Sequence, residues 1–149
     1  MYPFVLGVHN IVRWVVLIAG ILAAGRALIG WFGKKEWTKQ DRLFGVVFTS
    51  SVDIQLLFGI LLYFVLSPIT KGVFSDFGAA MGIKDMRFFA VEHVFYMVLS
   101  LIFAHLGSAL PKKVDDAVSK HKRAAIWFSL AVLIILAGIP WWRPLLPSL

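Results

Sequence analysis

Long apolar stretches alternate with short polar ones along this chain. Apolar residues run almost unbroken over Phe4–Phe32, Phe44–Leu66, Phe88–Leu110 and Ala124–Trp142. At a rise of about 1.5 Å per residue, each can cross the roughly 30 Å of hydrocarbon in a bilayer. There every backbone polar group must be satisfied within its own segment, so the stretches predict helices. Short connections make consecutive helices antiparallel. The expected fold is all-α: one domain over residues 1–149, an integral-membrane antiparallel four-helix bundle. Pro3 and Pro111 sit at segment boundaries, Pro68 helps to stop the second stretch, and Pro140 should bend or end the fourth. The connection 67–87 carries Val73–Met81, with Phe74 and Phe77, which reads equally as a short interfacial helix or a surface turn.

Charge orients the pattern. The first connection holds Lys34, Lys35, Lys39 and Arg42, and the third holds Lys112, Lys113, Lys120, Lys122 and Arg123. The second holds Lys71, Lys84 and Arg87, offset by Asp76 and Asp85. Cytoplasmic loops carry the excess of Lys and Arg, so both termini and the middle connection are expected on the outer, periplasmic side. Tyr2, Trp141 and Trp142 then belong to an outer aromatic belt, and Trp31 and Trp37 to an inner one.

Composition narrows the class. A chain 60% hydrophobic is neither an ordinary soluble domain nor a disordered one. The net charge of +7 gathers at segment ends, as insertion requires, and predicts no nucleic-acid partner. There is no cysteine, which excludes disulfides, cysteine-held iron–sulfur clusters and covalent c-type haem. The first stretch lacks a basic leader and a cleavage signature, so it is expected to be a permanent span.

Within the apolar stretches, ionisable residues carry the functional signal, because they are unfavourable in hydrocarbon. His9 and His93 each lie about five residues into the first and third stretches, which run in the same direction, so both imidazoles reach a depth of about 7 Å. Level histidines between helices can hold a b-type haem by its two axial positions. The alternative is two interfacial histidines bonded to water or carbonyls. His105 follows His93 by about 18 Å of axial rise and a turn of roughly 120°, which suits a second haem with His121 as partner. The alternative there is one buried histidine and one solvated histidine among Lys120, Lys122 and Arg123. Arg13 shares the helix face of His9, and Glu92 is the carboxylate nearest in expected depth. The two form either a structural pair or the polar surround of a cofactor. Asp53 and Gln55 sit mid-span, as a structural hydrogen bond or as a proton relay feeding a quinone.

These residues fall in stretches that resemble a group of small bacterial membrane proteins described as cytochrome b-like. The stretches are His9-Asn10-Ile11-Val12-Arg13-Trp14, Gln55-Leu56-Leu57-Phe58-Gly59, Arg87-Phe88-Phe89 with Val91-Glu92-His93, Lys120-His121-Lys122, and Ile139-Pro140-Trp141. The resemblance implies a multi-pass protein of the bacterial inner membrane that binds haem and carries electrons. The combined expectation is one or two non-covalent haem b groups, held by His9 with His93 and by His105 with His121. Electrons would pass between the quinone pool and a partner, possible partners including a larger respiratory or photosynthetic complex. The competing expectation is a haem-free accessory subunit whose polar residues bond helix to helix. A third is a metal site of His9, Glu92 and His93.

Overall fold

A computed structural model describes residues 1–144. It is all-helical, with no strand among the described residues. The order is α1 (Tyr2–Phe32), α2 (Lys39–Leu61), α3 (Pro68–Ser75), α4 (Phe77–Met81), α5 (Lys84–Arg87), α6 (His93–Ala109) and α7 (Ala117–Gly138). Wide π-helical turns extend α2 through Leu62–Leu66 and join α5 to α6 through Phe88–Glu92. The result is four helices long and apolar enough to cross a membrane: Tyr2–Phe32, Lys39–Leu66, Lys84–Lys113 and Ala117–Gly138.

Local chemistry sets the ends. Pro3 lies in the first turn of α1, where no backbone N–H is needed. Thr38 starts α2, its backbone N–H donating to Asp41 Oδ2 at 2.7 Å, while Arg26 of α1 donates to Asp41 Oδ1 at 2.6 Å. Pro68 opens α3 after the second span stops, and Asp76 caps α4 by accepting from the Ala79 N–H. Val73–Met81 is therefore helical on both sides of a break at Asp76. Asp116 caps α7, which starts at Ala117, seven residues before the expected start at Ala124, and ends at Gly138 ahead of Pro140. The Lys120–Arg123 run is thus helical, not loop.

α1 packs on α2 and α7, and α6 packs on the same two helices. α1 and α6 are therefore diagonal across the bundle and, by the connections, parallel. The end carrying Tyr2 and Gly138 is here the terminal end; the end carrying the 33–38 and 110–116 connections is the loop end. The continuous apolar core fills the loop-end part, around Phe48, Ala104, Phe128 and Ala131. Gly107 leaves the room that the Phe128 ring occupies, bringing α6 close to α7. Toward the terminal end this core stops near Val12 on α1, Val52 on α2 and Leu101 on α6; only α7 carries it further, through Ile139.

Candidate functional site

Beyond the apolar core, at the terminal end, the bundle interior turns polar. His9 on α1 and His93 on α6 face each other on the diagonal, with ring centres 6.3 Å apart and planes at 65°. The sequence places both side chains at one level because parallel helices count depth in the same direction. An iron between two imidazoles, each nitrogen about 2 Å away, sets the ring centres roughly 6 Å apart. The observed separation fits that requirement. The interplanar angle is no obstacle, because each ring can turn about its own bond to the metal.

The second nitrogen of each ring is informative. His93 Nδ1 lies 2.7 Å from the Gly138 carbonyl of α7, so Nδ1–H donates and Nε2 keeps its lone pair. A backbone carbonyl orienting the far side of a histidine is the usual support of a metal-ligating imidazole. His9 Nδ1 is buried with no hydrogen-bond partner, and so is Gln55 Oε1 of α2 beside it. Gln55 Nε2 donates to the His9 carbonyl at 3.0 Å. Gly59, one turn further, lies beside the His9 ring, where an added Cβ would be 3.6 Å from Cε1, in ordinary contact. Buried polar atoms normally have partners, so two orphans at one level mark a place built for something else.

The wide turn Phe88–Glu92 delivers His93 to this position. Such turns release carbonyls from the regular ladder, and two hydroxyls satisfy them here. The Tyr63 hydroxyl donates to the Ala90 carbonyl at 2.9 Å, and the Thr70 hydroxyl donates to the Tyr63 carbonyl at 2.7 Å. Phe88 and Phe89 pack on the His93 ring at 5.8 and 5.9 Å. Trp142 covers Phe88 at 4.6 Å, and Asp85 binds both Trp142 Nε1 and the Arg143 guanidinium. The terminal mouth is thus roofed by aromatic rings and tied down by an ion pair.

The other expected site residues have other places. Arg13 is buried one turn below His9, with Nη1 donating to Asn10 Oδ1 at 3.4 Å. Glu92 does not form the expected pair with Arg13; it faces outward and holds Arg87 at 2.8 Å, because the wide turn rotates it off the bundle interior. The three-residue metal site with Glu92 fails for the same reason, and no group of three or more metal-ligating side chains converges among the described residues. His105 and His121 are not brought together. His105 Nε2 lies 2.8 Å from Asp53 Oδ1 on α2, both side chains about half exposed. His121 is fully buried at the loop end, its Nε2 donating to the Glu36 carbonyl at 3.2 Å and its ring 4.8 Å from Trp37. It also lines a cleft of about 620 Å³ that opens between α1 and α2 beside the Arg26–Asp41 pair. Sequence reasoning missed the Gly138 carbonyl, Tyr63 and the Asp53–His105 bond, since none has a signature before the helices are registered.

Compared with known proteins, no family model matches the chain, and neither a curated protein nor a solved structure matches it.

Proposed function

We propose that this chain is a b-type cytochrome of the bacterial inner membrane, holding one haem between His9 and His93. The facing of these rings on the bundle diagonal, 6.3 Å apart, carries the reading. Bound there, haem supplies a one-electron couple. His93, oriented by the Gly138 carbonyl, and His9 would hold it. Gln55 fixes the α1 backbone beside His9. Arg13 places positive charge one turn deeper, suited to an anionic propionate. The aromatic roof of Phe88, Phe89 and Trp142 limits water, which favours the neutral, low-dielectric surround that tunes a haem potential. With the terminal end on the periplasmic side, a haem at His9 and His93 would lie in the outer leaflet, where it could exchange electrons with the quinone pool and a partner on that side. Of the one or two haems expected from sequence, one is proposed, because His105 and His121 are each committed to other neighbours.

The test is the reduced-minus-oxidised visible spectrum of the purified protein after haem-replete expression. A sharp α band in the region expected for haem b is the predicted result. His93→Ala removes it, while His105→Leu and His121→Ala leave it in every molecule that folds. A colourless wild-type protein ends the cytochrome reading in favour of a haem-free accessory subunit.

A further inference from the structure

We propose that the Asp53–His105 pair binds the head group of a lipid-soluble hydroquinone at the seam between α2 and α6. The pair lies in two membrane-length helices, yet Asp53 is 49% and His105 52% exposed, so both present polar atoms to the lipid side of the bundle. The span that carries His105 is the least enclosed: 22% of its apolar window is buried, against 39–44% in the others. Lipid tails cannot satisfy such groups, and ionisable residues facing hydrocarbon are retained where they do something.

The hydrogen bonds state what is wanted. Nε2 and Oδ1 are used on each other, at 2.8 Å. His105 Nδ1 and Asp53 Oδ2 have no bond among the described residues. Of the atoms left over, an imidazole Nδ1 can carry a donor N–H and a carboxyl Oδ2 accepts. A phenolic hydroxyl both donates and accepts, so a hydroquinone meets both atoms. A quinone carbonyl only accepts and meets Nδ1–H alone. Leu57 and Ile102, one turn from each member and exposed, supply apolar flanks for a ring and tail.

This inference names the substrate class of the cytochrome reading and rests on it for the use of the electrons, but its binding test needs no haem. The full chain is placed in lipid nanodiscs and titrated calorimetrically with a short-tailed benzohydroquinone and its quinone. The hydroquinone is expected to bind more tightly, and Asp53→Leu or His105→Leu to weaken it at least ten-fold. Leucine suits a lipid-facing position, so both variants insert, and the haem spectrum stays unchanged. A photoreactive benzoquinone on the wild-type chain should label α2 near Asp53 and α6 near His105. Equal affinity in both leucine variants, or labelling elsewhere, overturns the proposal. So does a dimer of the chain that falls to monomer in the variants, since a second copy would then cover the pair. Colourless protein that still binds hydroquinone through Asp53 sinks the cytochrome reading alone; pigmented protein that does not bind sinks this inference alone.

Discussion

Three histidines of the same type do three different things here, and burial with partner decides which. His93 is anchored on one nitrogen and offers the other; His105 shares a bond with a carboxylate at the lipid edge; His121 is enclosed and bonded to a carbonyl. His121 owes its place to Gly30, whose missing Cβ leaves the volume that the imidazole fills. Gly30→Ala should therefore force the ring aside and cost about 1–3 kcal/mol, the usual range for overpacking. A lowered melting temperature in detergent with an unchanged pigment spectrum is the expected outcome, and a lost α band would show that His121 holds haem after all. The sequence revealed His9 and His93 because equal depth on parallel spans needs only a count of residues. It hid the role of His121, since flanking Lys120, Lys122 and Arg123 read as solvent exposure. On a helix those charges point to other faces, leaving one imidazole free to turn inward.

Elements matter here through their irregular turns. A regular third span from Phe88 would shift His93 and Glu92 by about one residue, turning their directions by roughly 100° from those observed. Tyr63 bonds across to Ala90 inside that turn, and Thr70 bonds back to Tyr63, so two irregular segments hold each other. Tyr63→Phe leaves the Ala90 carbonyl short of a partner, a loss of about 1–3 kcal/mol. If roughly 1.4 kcal/mol of that reaches His93, haem affinity falls about ten-fold. The check is haem transfer to an acceptor protein, with faster release expected from the variant. No periodicity announces a π-helical turn, which is why the span boundaries were legible and the turn was not. The start of α7 depends on a different device. The Ser119 backbone N–H bonded to the Asp116 carboxylate holds its pKa below the usual carboxylate range. A depressed folded pKa adds stability above the unfolded value, and this is lost as pH falls through the folded one. The melting temperature of the wild type should drop on acidification, and Asp116→Asn should show a flatter acid limb. Identical limbs would mean that the cap does not contribute.

At the scale of the whole molecule, orientation decides which side of the membrane the electron carrier would serve. The loop end gathers Lys34, Lys35, Lys39 and Arg42 with Lys112, Lys113, Lys120, Lys122 and Arg123. Cations at the terminal end are fewer, and two of them are paired, Arg87 with Glu92 and Arg143 with Asp85. Orientation follows the count of Lys and Arg near span ends, not net charge, so the proposed reading puts the loop end in the cytoplasm. The architecture agrees with this division of labour: the loop end holds the continuous apolar core, and the terminal end holds His9, Gln55 and His93 under an aromatic roof. Number and order of spans were legible because hydrocarbon thickness and backbone satisfaction leave few choices. The sense in which the ring closes was not, since four antiparallel helices close either way with the same hydropathy. The absence of cysteine makes orientation directly measurable. Ser75→Cys, on the exposed rim of the terminal end, should react with a membrane-impermeant maleimide on intact cells. Lys113→Cys should react only after permeabilisation. The opposite pattern would turn the bundle over, put His9 and His93 in the inner leaflet, and require a cytoplasmic redox partner.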